Sequence, residues 1–114
     1  MPYTRTEAKK LLTAVELELF DTGRAPALRK LTKPELRKKL ERSRKLRDKY
    51  HDLFRRQRLA IRAESGSKSG TTGNANQRTR QKEELFAELV GQFEARIVQI
   101  EQQEDEDLAS AATS

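Results

Sequence analysis

The sequence predicts an all-α fold: a long, coiled-coil-like antiparallel helical hairpin with a short N-terminal helical segment packed against it. Three observations carry this. Thr4–Glu7, Thr13–Glu16 and Thr32–Glu35 each match a capping box, in which a Thr hydroxyl and a Glu three residues later satisfy helix-start amides reciprocally. Two apolar stripes recur at helical spacing in the second and final thirds of the chain. A Gly/Ser/Thr/Asn run, residues 65–76, separates them and reads as a flexible loop.

The first two boxes predict helices over about 5–11 and 14–21, or one helix with a kink, with Leu12, Val15, Leu19 and Phe20 on an apolar face. Gly23, by its left-handed permissiveness, and Pro26, by its missing amide, are expected to end them. The third box opens the strongest helix, 33–64. Pro34 sits in its first turn, where a missing donor costs nothing. Leu36, Leu40, Ser43, Tyr50, Phe54 and Ile61 share one stripe, Leu46 and Leu53 widen it, and Arg47 interrupts it. Glu35 with Lys39, Glu41 with Lys45 and Asp52 with Arg56 have the four-residue spacing of helical ion pairs. The last helix is expected over 77–103, on the stripe Phe86, Leu89, Val90, Phe93, Ile97 and Ile100, with Leu85 at its edge. Residues 1–104 then form a single helical domain, and 105–114 an acidic disordered tail, because acids sit badly at the negative end of a helix.

Composition narrows the function. The chain of 114 residues is 34% hydrophobic and 37% charged, which leaves a thin core. The apolar edges Leu46/Leu53 and Leu11/Leu12 suggest a homodimer that hides them, and Gly91 and Ala95 on the outer face of the last helix would permit close helix approach. Cysteine is absent, so no disulfide, thiolate metal site or cysteine nucleophile is available. His51 is the lone histidine and falls toward the polar side of its helix. No metal site or cofactor is expected, and no clustering of opposed titratable groups marks an enzyme. The first residues lack the apolar run of a signal peptide, and no stretch is long enough to span a membrane, so a cytoplasmic location is expected.

Charge is partitioned along the chain. The formal net charge is +6, yet residues 29–62 carry fifteen bases and four acids, whereas 101–114 carry five acids and no base. With the apolar stripe turned inward, Arg37, Lys38, Arg42, Lys45, Lys49, Arg55 and Arg56 point outward, spaced to follow a phosphate backbone. Lys68, Arg78 and Arg80, near the Gly/Asn-rich loop, could add phosphate contacts. The expected partner is therefore nucleic acid, DNA or RNA, bound without catalysis. The alternative is a solvated face on a helical adaptor that docks a protein partner and self-associates. Tyr50, Phe54, Phe86 and Phe93 lie on the stripes and are expected in the core rather than stacked on bases. The acidic tail, if it folds back on the basic helix, would compete with nucleic acid.

Overall fold

The computed structural model describes residues 3–63 and 70–113, with side chains for 3–63 and 75–112. Among the described residues four α-helices follow in order: α1 (Arg5–Leu11), α2 (Ala14–Thr22), α3 (Lys33–Ala63) and α4 (Gly70–Thr113), with a short 3₁₀ turn at Leu28–Lys30. Helices α3 and α4 pack antiparallel as a hairpin, with Lys33 beside Glu104 at one end and Asn76 beside Phe54 at the other. The molecule is a rod of 73 × 25 × 20 Å.

Each helix start is built from local chemistry. Thr4 and Glu7 close a complete capping box on α1, and Thr13 and Glu16 close one on α2. At α3 the Thr32 amide donates to Glu35 Oε1 at 2.9 Å, and the Glu35 amide donates to Thr32 Oγ1 at 3.4 Å. That carboxylate is held by Thr32, which is why the expected Glu35–Lys39 pair does not form. Glu41–Lys45 (4.0 Å) and Asp52–Arg56 (3.4 Å) do form.

Gly23 ends α2 for a different reason from the expected one. Its φ is −83°, open to any residue. What it supplies is room: a Cβ there would lie 2.5 Å from Leu89 Cδ2 and 3.5 Å from Phe93 Cζ. The end of α2 thus rests its backbone directly on α4.

The core is one cluster: Ala8, Leu12, Leu19 and Phe20 from the N-terminal segment, Leu36, Leu40 and Tyr50 from α3, and Leu85, Phe86, Leu89, Val90 and Phe93 from α4. Buried Ser43 and Thr79 return their hydroxyl protons to carbonyls one turn back, Lys39 O at 2.8 Å and Ala75 O at 2.9 Å, so neither is left unsatisfied. Leu12 is buried, and Leu11, Leu46 and Leu53 pack half-buried on this cluster. The N-terminal segment contributes to the same core and covers part of these apolar edges within one chain.

Helix α4 exceeds its expected 77–103 at both ends. Of the expected loop 65–76, residues 65–69, Lys68 included, lie outside the described residues, and 70–76 are helical. Asn76 Nδ2 donates to the Phe54 carbonyl at 3.1 Å, which anchors the first turns of α4 on α3. Adding turns to an existing helix costs far less than starting one. The acidic segment expected to be disordered is likewise helical as far as Thr113, while Ser114 lies outside the described residues. Neither Gly nor Pro occurs after Gly91, and Glu, Gln, Leu and Ala are good helix formers, which outweighs a dipole penalty of about 0.3–1 kcal/mol per charge. A continuous helix also carries these acids away from the basic face of α3 rather than back over it.

Candidate nucleic-acid interface

The inward face of α3 is fixed by Leu36, Leu40, Ser43 and Tyr50, all buried. At about 100° per residue, Lys38, Arg42, Lys45, Lys49 and Arg56 fall within about 60° of one another on the opposite side. All five are exposed. They form a ridge that spans about 27 Å at about 1.5 Å per residue. Lys38, Arg42 and Lys49 have no ion pair among the described residues, and the Lys49 ammonium lies 5.2 Å from the Tyr50 ring centroid. Lys45 and Arg56 hold Glu41 and Asp52 in exposed pairs, each worth at most about 1 kcal/mol and readily exchanged for a phosphate.

The remaining expected site residues are placed elsewhere. Arg37 and Arg55 are exposed on a flank about 100° from the ridge centre, on the side where Arg44 meets Glu94 at 3.3 Å and His51 Nδ1 meets Glu83 at 2.9 Å. Arg78 is exposed but engaged within the chain: its guanidinium donates to the Lys10 carbonyl at 3.1 Å, in the last turn of α1, where a cation suits the helix dipole. Arg80 pairs with Glu84 at 3.2 Å and lies 6.0 Å from the Phe54 ring centroid. The structure therefore brings five of the expected cations together and separates Arg78 and Arg80 from them. Arg47, inside the stripe, turns its guanidinium out to Asp48 at 3.2 Å. Tyr50, Phe86 and Phe93 are buried in the core and Phe54 is half-buried.

A second polar centre lies under α2. The Tyr50 hydroxyl donates to Glu16 Oε2, while Lys82 Nζ donates to Glu16 Oε1 at 3.3 Å. The Tyr50 ring stacks on Phe86, with centroids 5.8 Å apart and planes 7° from parallel. Burial pushes the Glu16 pKa up, but the Tyr50 hydroxyl, the Thr13 amide and the Lys82 ammonium together outweigh it and hold the carboxyl below its ordinary range. Burial, then the bond and charge of Glu16, push the Tyr50 phenol above its ordinary value. The centre is therefore a buried ionised carboxylate and a buried neutral phenol, reached by a Lys82 side chain that stays partly exposed. Sequence reading gave Glu16 only a capping role and Lys82 none. The available signal was position: Glu16 lies four residues from both Leu12 and Phe20, and Lys82 four before Phe86, so opposite charges interrupt two apolar stripes.

An open cleft of about 870 Å³ lies beside the end of α2, lined by Tyr3, Arg5, Phe20, Asp21 and Arg24 among others. It lies away from the ridge, and its Arg5 is held by Asp21 at 3.1 Å. Among the described residues no helix is long and apolar enough to cross a membrane, and no group of three or more His, Asp or Glu side chains could hold a metal ion. Fold and surface define a class: a two-helix hairpin, buttressed by two short helices, with a basic outer ridge. No protein-family model, curated protein or solved structure matches the chain.

Proposed function

We propose that this chain is a non-catalytic nucleic-acid-binding protein that lays the outer ridge of α3 along a phosphate backbone. The observation that carries the reading is the alignment of Lys38, Arg42, Lys45, Lys49 and Arg56 on the one face of α3 turned away from the core. Laid parallel to a duplex axis, a ridge of about 27 Å is as long as about eight base-pair steps at about 3.4 Å each. Because the other side of α3 is sealed against α4, the helix cannot sink bare into a major groove. It meets nucleic acid from one side, which favours phosphates and overall shape over base edges.

The test is fluorescence anisotropy with duplex DNA, single-stranded DNA and RNA across a salt series. Five neutralised phosphates on duplex DNA give a log–log salt slope of about −4.5. Reversing Arg42, Lys45 and Lys49 to Glu should abolish binding near physiological salt. Unchanged affinity in that variant overturns the reading and leaves the ridge as a solvated face on a protein-docking helix, whose complexes would be far less salt-sensitive.

A further inference from the structure

Among the described residues few large apolar side chains are exposed, and two of them stand at opposite ends of the rod. Leu59, 59% exposed, lies toward the hairpin tip on α3, and Leu108, 71% exposed, lies near the far end of α4. Arg55, Arg58 and Arg62 surround Leu59 around a shallow depression of about 200 Å³, and the acids of the adjoining groove, Glu83 and Glu84, are already paired with His51 and Arg80, so the surface around Leu59 is net positive. Residues 101–113 hold five acids and no base. Beyond Glu104, anchored to Lys33 at 2.6 Å, α4 runs on for nine residues, about 14 Å at about 1.5 Å per residue. Residues 105–112 of this overhang are exposed.

An exposed leucine ringed by arginines and an exposed leucine preceded by acids are complementary in both charge and hydropathy. They cannot meet within one chain, because the rigid hairpin holds them at opposite ends of a 73 Å molecule. Two overhangs cannot pair with each other without setting acids against acids, and two tips would set arginines against arginines. We infer that the partner is a second copy of this chain, whose acidic α4 overhang lies across the basic hairpin tip and seats Leu108 beside Leu59. The contact joins unlike surfaces, so each copy keeps one tip and one overhang free, and assembly grows head to tail. An overhang this short buries well under the roughly 800 Å² per partner of a standard interface, so the association is weak and salt-sensitive.

Sedimentation velocity on the nucleic-acid-free protein at low salt tests this, with Arg58→Glu to spoil the tip and Asp105→Lys to spoil the overhang. Both sites are exposed, so folding is checked simply by helical content and melting. Wild type should associate with rising concentration and dissociate in high salt, and each variant should weaken self-association about tenfold or more. Mixed together, the Arg58→Glu chain still offers an overhang and the Asp105→Lys chain a tip. The mixture should form a one-to-one dimer that grows no further. A wild-type protein that stays monomeric at millimolar concentration in low salt overturns the inference, as do variants that associate like wild type or a mixture that forms no dimer. No nucleic acid enters the assay, so its outcome is independent of the ridge.

Discussion

Tyr50 donates its phenolic hydrogen to the Glu16 carboxylate, joining α2 to α3 across 34 residues of sequence, and Lys82 brings α4 to the same carboxylate. Replacing Tyr50 with Phe keeps the stack on Phe86 but leaves a buried charge short of a donor. The expected loss is about 1–3 kcal/mol in urea denaturation. A variant as stable as wild type would mean that the bond only fills space.

Glu16 also sets an acid limb. Its folded-state pKa lies below the ordinary 4.5, so the unfolded chain takes up the proton first as pH falls. Stability from this group is complete above the unfolded pKa and drains away as pH drops through the folded one. Glu16→Gln should therefore be less stable than wild type at neutral pH, with the gap closing in acid. Melting curves taken from pH 7 downward read this directly.

Glu88 carries the opposite sign. Burial, with the neighbouring Glu84 carboxylate, raises its pKa, and its Oε2 is buried with no hydrogen-bond partner among the described residues. A carboxylate whose folded pKa is raised costs stability at neutral pH and returns it as pH falls. Glu88→Gln should melt higher than wild type at pH 7, and the advantage should disappear below the ordinary carboxylate range.

At the end of α2, Gly23→Ala should cost about 1–3 kcal/mol by overpacking against Leu89. Shortening Leu89 in the same chain removes the clash, so the double variant should lose less than the two single losses added together. Strict additivity in a denaturation cycle would show that the helices simply move apart.

Arg78 separates stability from binding. Because its guanidinium holds the Lys10 carbonyl, Arg78→Ala should lower stability by about 1 kcal/mol while leaving nucleic-acid affinity and salt slope close to wild type. Anisotropy and melting on the same sample distinguish the two. A slope shallower by about one unit would return Arg78 to the interface.

The elements legible in the sequence are those set by neighbours. Thr4, Thr13 and Thr32 announce α1, α2 and α3 to within a residue, because a capping box is closed by residues three apart. The ridge was legible too, since helical periodicity assigns Lys38 through Arg56 to the side opposite Leu36, Leu40 and Tyr50. What escaped depends on distant parts of the chain. Nothing near Arg78 says that the end of α1 will lie beside it, and nothing near Gly23 announces Leu89. The reach of α4 is not legible from its Gly, Asn and acidic residues taken singly, because a helix anchored at Asn76 and at Glu104 extends at little cost per residue.

The length of the rod has an electrical consequence. Near physiological ionic strength a charge is felt over about 8 Å, a small fraction of the 73 Å length of the rod, which carries the arginine-rich tip toward one end and the acidic overhang at the other. The two ends are therefore screened from each other. Changing the charge at one end leaves the potential at the other untouched, and the molecule meets its surroundings as two independent surfaces on one stiff spacer.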